Sequence, residues 1–294
     1  MSKKGIKQEL RLKKSVNPWK NIRLLKTIYV IALVVVGTII GGILTNYNLQ
    51  ISALSLLLKI FTMVLAWKFT VMVNDFFDIE INEMRKKSTI LGLSSKSQYF
   101  MFLVFFGLSS IFISFLLGRY IFPVLTSLSL IVGVLYSIPP LRIKKYGFKS
   151  IFIGFGSVIA FLIGYFDYSN NLTMEIQPKL SLNIIYPLTM LFLAVSLGTN
   201  IKGFKEYEED KKRRVKTLFT IFGLKKGKRI ASIFLFFSFL MPILLFPTVT
   251  EIILFVSLAT IATLIFEKFE DFHPIILLSV FIFIYCALRL TGIF

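Results

Sequence analysis

The sequence is poor in the residues that build disulfides, histidine metal sites and charged soluble surfaces. Its 294 residues include one cysteine, Cys286, and one histidine, His273, and only 17% of them are charged. A single cysteine excludes an intramolecular disulfide and a CxxC site, and a single histidine excludes a multi-histidine metal centre. Soluble domains carry roughly 25% charged residues, so this composition excludes an ordinary soluble protein.

Acidic residues are scarce as well, since 15 Asp and Glu stand against 34 Lys and Arg and give a formal net charge of +19. Such an excess is common in nucleic-acid-binding proteins, but 56% of this chain is hydrophobic. In membrane proteins, Lys and Arg collect in cytoplasmic loops, where they meet anionic lipid. We therefore expect membrane lipid, and no nucleic acid, as the partner of this charge.

Long apolar runs are what the sequence has in abundance. A run of about 18 or more apolar residues is long enough to cross a hydrocarbon core of roughly 30 Å as a helix. The pattern therefore predicts an all-α, polytopic membrane protein. We count about nine candidate spans, at 27–46, 51–73, 97–117, 120–138, 149–168, 180–199, 230–249, 251–267 and 274–293.

Basic residues alternate between the loops and so predict an orientation. The amino-terminal tail and loops 74–96, 139–149 and 200–229 are rich in Lys and Arg, which indicates the cytoplasmic side. The tail has no short apolar stretch with a cleavage site, so we read it as retained rather than as a signal peptide. We expect a basic cytoplasmic tail at 1–26 and one transmembrane domain at 27–294, in the plasma membrane.

The first cluster of oxygen-bearing side chains continues the second span. On a helix, Asn74, Asp78 and Asn82 share one face at i, i+4 and i+8, with Asp75 three residues before Asp78. Carboxylate and amide oxygens are the ligands that Mg²⁺ prefers, often together with substrate phosphates. The alternative is a solvated helix end whose acids answer the basic residues 85–87.

The second cluster follows the sixth span. Glu206 and Asp210 are spaced i, i+4, while Lys202 and Lys205 offer cations to phosphate oxygens. A second magnesium site is one interpretation of this pattern. A mixed-charge cytoplasmic helix without a specific function gives the same string of residues.

The third cluster lies where the fourth span ends, in the sequence YSIPPLRIKK at 136–145. Two prolines break the helix there and leave Arg142 and Lys144 at the membrane face predicted for both acidic clusters. A positive-inside loop with a helix stop is the alternative.

At these residues the sequence resembles the UbiA superfamily of intramembrane prenyltransferases, whose motifs read NDxxDxxxD and DxxxD before a TL dipeptide. Asn74, Asp75 and Asp78 match the first motif, and Glu206 and Asp210 occupy the acidic positions of the second. The resemblance covers most of the chain, including a YSxPPxRxK-like segment matched by Tyr136, Arg142 and Lys144. The sequence departs from the family at Asn82 and Glu206, which stand where Asp is usual.

The resemblance implies one helical bundle around a central cavity and Mg²⁺-dependent transfer of a prenyl group from a polyprenyl diphosphate to a lipophilic or aromatic acceptor. It implies that the diphosphate is bound by Asn74, Arg142, Lys144 and Lys202. Asp75, Asp78, Asp210 and Tyr136 would be catalytic. The metal ligands it implies are Asn74, Asp75, Asp78, Asn82, Glu206 and Asp210.

The acceptor is expected to be an ether-lipid precursor such as geranylgeranylglyceryl phosphate, or a quinone precursor. A catalytically degenerate family member, and a transporter or lipid-binding scaffold, are the alternative interpretations. Few cations lie inside the predicted spans, with Lys59, Lys68 and Arg289 as the main ones, which disfavours a charge relay for transport.

Overall fold

The computed structural model describes residues 24–44, 52–82, 96–166, 182–212, 214–269 and 273–290. These residues form helices and short turns, and no strand occurs among them, so the predicted all-α class is confirmed. A helix satisfies its backbone hydrogen bonds within itself, which is why apolar runs in lipid take this form. In chain order the α-helices are α1 (Leu24–Leu44), α2 (Ala53–Asn82), α3 (Lys96–Leu116), α4 (Ile121–Ser137), α5 (Lys149–Tyr165), α6 (Leu182–Gly198), α7 (Tyr207–Lys212), α8 (Leu218–Leu240), α9 (Val249–Phe269) and α10 (His273–Leu290).

Five of the described helical stretches are long and apolar enough to cross a membrane, judged by length and composition. They are Ala53–Phe77, Ser97–Leu116, Ile184–Phe204, Leu218–Leu244 and Val249–Phe269. Four shorter apolar helices are Lys26–Gly42, Ile121–Ser137, Lys149–Tyr165 and Pro274–Cys286. The chain is therefore an integral membrane protein, while the predicted count of nine spans is not confirmed.

Helices α1 and α8 begin earlier than predicted. Helix α1 begins at Leu24, so the last residues of the predicted tail 1–26 are helical, and the rest of that tail lies outside the described residues. Helix α8 begins at Leu218 and is kinked at Gly223, where φ is 77 and ψ is 166, although its first half was predicted as part of the basic loop 200–229. Thr217 caps this helix, since its hydroxyl accepts from the Thr220 backbone N–H and its own N–H donates to Thr220 Oγ1.

Glycines allow α1 and α5 to pack at close range. A Cβ added at Gly37 would lie 2.1 Å from the Phe161 carbonyl oxygen, and one added at Gly41 would lie 2.2 Å from that of Tyr165. On the facing helix, a Cβ at Gly164 would lie 2.1 Å from the Val34 carbonyl oxygen. Small residues let membrane helices approach each other's backbones in this way. Larger side chains at these positions would separate the two helices.

The helices form two sets. An inner set encloses a central space, and an outer set packs against the inner one. Helix α1 packs against α2, α5 and α10, so the first and last described helices meet. Helix α3 packs on the outside of α2 and α4, while α9 packs on α8 and α10. The inner face of the bundle is consequently formed by α1, α2, α4, α5, α6, α8 and α10, and this face positions the candidate site.

Candidate active site

A cavity of about 900 Å³ occupies the centre of the bundle. Ligand pockets in proteins span roughly 300 to 1,000 Å³, so this one is large enough for a substantial apolar ligand. Most of its wall is apolar and comes from the inner helices. Representative lining residues are Tyr29, Leu33, Met63, Trp67, Val132, Phe152, Phe161, Met190, Leu235, Phe239 and Ile282.

One end of the cavity, which we call the mouth, is lined by charged side chains. These residues lie at the amino-terminal end of α1, at the start of α5, and in the segments that follow α4 and α6. Because successive long helices run in opposite directions, these positions fall at the same face of the bundle. The basic ones among the described lining residues are Lys26, Arg142, Lys144, Lys145, Lys149, Lys202, Lys205, Lys212 and Arg214, and the acidic ones are Glu206, Glu209 and Asp210.

The first predicted cluster reaches the mouth through Asn74, near the end of α2. Asn74 Oδ1 accepts a 2.7 Å hydrogen bond from Lys144 Nζ, and its amide Nδ2 lies 3.4 Å from Asp75 Oδ1. Asp75 is half-buried and is not among the described residues that line the cavity. The side chains of Asp78 and Asn82 lie outside the described residues, so their predicted roles stay predictions.

The third predicted cluster enters the mouth after α4 ends at Ser137. Arg142 is buried, with 5% of its surface exposed, and its backbone is left-handed at φ 31 and ψ 56. Left-handed backbone is strained for a side-chain-bearing residue, and such strain clusters at functional sites. Tyr136 and Lys144 also line the cavity, so the structure brings all three matched residues of this segment to one place.

The second predicted cluster is held by an ion-pair triad centred on Glu206. Its Oε1 contacts Lys202 Nζ at 2.8 Å, and its Oε2 is paired with Lys149 Nζ at the start of α5. Asp210 lies one turn further on, is 8% exposed and lines the cavity. Its backbone N–H donates to the Glu206 carbonyl oxygen at 2.7 Å. The two residues are therefore one helical turn apart, as their i, i+4 spacing predicts.

The two lysines determine the charge state of Glu206. Burial alone would raise the pKa of this carboxyl, but the ammonium groups of Lys202 and Lys149 outweigh burial and lower the pKa from 4.5 to about 2. Glu206 is therefore ionised at any physiological pH. Each of its two carboxylate oxygens contacts a lysine ammonium group.

No cluster of three or more described His, Cys, Asp or Glu side chains could hold a metal ion. Instead, two of the oxygen-bearing side chains in the described part of the mouth are paired with lysines. Asn74 pairs with Lys144, and Glu206 pairs with Lys149 and Lys202. This arrangement suits an anion with several oxygen atoms, because each ammonium group can donate to phosphate oxygens as well as to its protein partner.

Lys149 and Arg214 are among the basic residues of the mouth to which sequence reasoning gave no role. Lys149 bridges α5 to Glu206, across 57 residues of sequence. Arg214 lines the cavity with a left-handed backbone, φ 53, and only it and Arg142 have positive φ among the described non-glycine residues. Arg214 sits in a segment joined to the Arg142 loop by a 3.0 Å bond from the Lys216 N–H to the Lys145 carbonyl oxygen.

The fold and the cavity define the class of protein: an all-α integral membrane protein whose bundle encloses an apolar chamber with a basic mouth. The model of the UbiA prenyltransferase family matches residues 34–275. The chain belongs to this family, which confirms the resemblance recognised from the motifs. A comparison with curated proteins finds no match.

Solved structures of UbiA proteins share the fold. A digeranylgeranylglyceryl phosphate synthase is 21% identical with a TM-score of 0.59, over 90% of this chain and 96% of that chain. A UbiA homologue from Aeropyrum pernix K1 is 13% identical with a TM-score of 0.66, over 92% and 98%. A UbiA homologue from Archaeoglobus fulgidus bound to DMAPP and Mg²⁺ is 17% identical with a TM-score of 0.57, over 93% and 99%.

Proposed function

We propose that the protein transfers a prenyl group from a polyprenyl diphosphate to a lipophilic or aromatic acceptor, with Mg²⁺ as cofactor. The observation that carries this proposal is the cavity that joins an apolar interior to a mouth lined by basic and acidic side chains. A polyprenyl diphosphate has the matching two parts, an apolar tail and a polyanionic head. Membership of the UbiA family, and a family structure with DMAPP and Mg²⁺, support the assignment.

The diphosphate would bind at the mouth between the α4–α5 loop and the segment after α6. Arg142 and Lys144 supply donors from the first side, and Lys202 supplies one from the second. Asn74 holds Lys144 in place through their hydrogen bond, and Glu206 does the same for Lys202. Charge-assisted hydrogen bonds to phosphate are roughly twice as strong as neutral ones, so these residues would retain the head group while the tail occupies the apolar interior.

The donor set fits Mg²⁺ chemically, because the mouth offers the hard oxygen ligands that this ion prefers. Asn74, Asp75, Asp78, Asn82, Glu206 and Asp210 are the residues that would hold it. When bound, Mg²⁺ would neutralise charge on the diphosphate. Glu206 is engaged by two lysines in the described structure. We therefore propose Asp210 and the residues of the first cluster as metal ligands ahead of Glu206.

Cleavage would break the bond between the allylic carbon of the donor and its diphosphate oxygen. The diphosphate leaves with the bonding electrons, the acceptor's nucleophilic atom bonds to the carbon, and the acceptor loses one proton. Basic side chains at the mouth stabilise the charge that develops on the leaving group. The apolar wall excludes water from the allylic cation, and the half-buried ring of Tyr136 offers it an aromatic face.

The charge of the mouth favours an acceptor that is itself an anion. Basic residues outnumber acidic ones three to one in the described lining, and bound Mg²⁺ would add further positive charge. A diphosphate neutralises only part of this excess, so a second anionic group is electrostatically favoured at the same mouth. An ether-lipid precursor with a phosphate group, such as geranylgeranylglyceryl phosphate, meets this condition, and a carboxylated quinone precursor is the other acceptor of this kind.

The arrangement of basic residues supports a location for the reaction. By the positive-inside rule the mouth would face the cytoplasm, in the plasma membrane, with the amino terminus on the same side. The tail at 1–26 would remain cytoplasmic, and 27–294 would form one transmembrane domain.

A binding protein without chemistry is the second candidate. Asn82 and Glu206 depart from the family's aspartates, and both Glu206 oxygens are already engaged by lysines. Such a degenerate member, or a transporter or lipid-binding scaffold, would retain the prenyl diphosphate without cleaving it.

The test is an assay of the purified protein with geranylgeranyl diphosphate and a panel of acceptors, in Mg²⁺ and in EDTA. Asp78→Ala and Asp210→Ala are the active-site variants. Glu208→Ala is the matched control, because Glu208 is exposed on α7 and is not among the described cavity-lining residues. Prenylated product that requires Mg²⁺, is lost in both aspartate variants and persists in Glu208→Ala supports the enzyme. Diphosphate binding with no product from any acceptor supports the binding protein, and no binding overturns both.

A further inference from the structure

Helix α5 contains three glycines, and close packing explains only two of them. A Cβ at Gly154 would lie 2.3 Å from Ser196 Oγ and 3.1 Å from the Phe192 carbonyl oxygen, so this glycine allows α6 to approach. Gly164 does the same for α1, where a Cβ would lie 2.1 Å from the Val34 carbonyl oxygen. A Cβ at Gly156 would meet no atom within 4 Å.

Gly156 faces the cavity rather than another helix. It lines the wall together with Phe152, one turn before it, and Ala160, one turn after it. It lies seven residues after Lys149, which lines the mouth and pairs with Glu206. Seven residues are about two helical turns on the same face and a rise of about 10 Å. Gly156 therefore opens the wall in the apolar part of the cavity, two turns below the charged mouth.

Neither packing nor backbone geometry requires glycine at this position. Residue 156 lies inside a regular helix, and its φ is outside the positive range in which side-chain-bearing residues are strained. Glycine is less favourable than alanine inside a helix because it loses more conformational freedom on folding. What the missing side chain provides is space in the cavity, at a fixed depth below the mouth.

We propose that Gly156 is a specificity-determining residue that lets the cavity accept a long prenyl tail. This inference rests on the proposed function, because it assigns the apolar interior to the donor's tail. With the diphosphate at the mouth, the tail must descend past residue 156 to reach the deeper wall. A side chain here would project into the cavity and leave room only for the part of the tail nearest the diphosphate.

The experiment compares the binding of four prenyl diphosphates of increasing length: dimethylallyl, geranyl, farnesyl and geranylgeranyl diphosphate. Wild type, Gly156→Ala and Gly156→Phe are measured by calorimetry in detergent with Mg²⁺. Ser257→Phe is the control, because Ser257 is exposed on α9, an outer helix that contributes no described residue to the cavity lining. Thermal unfolding of each variant shows whether it is folded.

For Gly156→Phe we expect the affinity for geranylgeranyl diphosphate to fall by at least about tenfold, which corresponds to 1.4 kcal/mol. Dimethylallyl diphosphate should bind as it does to wild type, and Ser257→Phe should change neither affinity. An equal loss for all four lengths, or no loss for any, would overturn the assignment. If Gly156→Phe does not fold, the same comparison is decided by Gly156→Ala and Gly156→Val.

Product formation separates this inference from the proposed function. Length-dependent binding without product in wild type would leave the role of Gly156 standing and remove the catalytic proposal. If wild type forms product and Gly156→Phe prefers the same tail length, the catalytic proposal stands and the role of Gly156 is overturned.

Discussion

Lys144 Nζ donates a 2.7 Å hydrogen bond to Asn74 Oδ1, although 70 residues separate the two in sequence. The bond joins the loop after α4 to the end of α2 and thereby connects two predicted clusters. It also determines which way the asparagine amide points, since Oδ1 is directed at the lysine and Nδ2 at Asp75. Residues of the two motifs are therefore in direct contact.

Breaking this bond should weaken binding of a prenyl diphosphate. We expect Lys144→Ala and Asn74→Ala each to lower affinity by roughly tenfold or more, since a hydrogen bond to a charged group contributes about 1.5 to 3 kcal/mol. The double variant should lose less than the sum of the two single losses, because each change already removes the same contact. Titration calorimetry measures all three, with the exposed Lys225→Ala as the control; additive losses would show that the two residues act independently.

The triad around Glu206 should make stability sensitive to acid. The pKa of Glu206 is lowered from 4.5 to about 2, so its ion pairs contribute fully above about pH 4.5 and are lost as the pH falls toward 2. We expect the unfolding temperature of wild type to fall more between pH 6 and pH 3 than that of Glu206→Gln, which has no titrating group there. Equal pH dependence in the two proteins would contradict the role of the triad.

Helix pairing between α1 and α5 should tolerate no added side chain. Gly37→Val and Gly164→Val would drive a side chain into a backbone carbonyl, and overpacking of this kind costs typically 1 to 3 kcal/mol, occasionally more. Gly156→Ala, on the same α5, is the control because its Cβ meets no atom within 4 Å. Thermal unfolding in detergent should rank both valine variants well below wild type and leave Gly156→Ala at or above it.

An ion pair links α9 and α10 at the end of the bundle opposite the mouth. Arg289 Nε contacts Glu251 Oε1 at 2.7 Å, and the glutamate side chain is 4% exposed. Removing one partner leaves a charge without its counter-ion, so Arg289→Met should destabilise the protein more than the double variant with Glu251→Gln. Unfolding temperatures of the two single variants and the double variant test this; a double variant that is the least stable would rule it out.

Much of the fold could be predicted from apolar runs, because a segment that spans lipid must be helical. The end of α4 was also predictable, since Pro139 and Pro140 follow Ser137 with only Ile138 between them. The beginning of α8 was not, because Lys225, Lys226 and Arg229 interrupt the apolar run that marks a span. The capping residues Thr217 and Thr220 were the local indication of that helix.

The candidate site was predictable only as far as local motifs extend. Regular spacing placed Asn74, Glu206 and Asp210 on helical faces, and the alternation of basic loops placed them at one end of the bundle. The pairing of Lys149 with Glu206 depends on how α5 approaches the segment after α6, and spacing along the chain does not contain that distance. The same is true of Gly156, whose role becomes visible only against the packing of the other glycines in α5.

The basic mouth also has a consequence for the end of a catalytic cycle. Side chains that hold the diphosphate of a substrate also hold the inorganic diphosphate that is left behind, since the charged group is shared. Product release in many enzymes is slower than chemistry, and under the proposed function the surplus of lysine and arginine would oppose the release of diphosphate. The protein would thus be inhibited by its own by-product, and its turnover in the cell would depend on how quickly diphosphate is hydrolysed nearby.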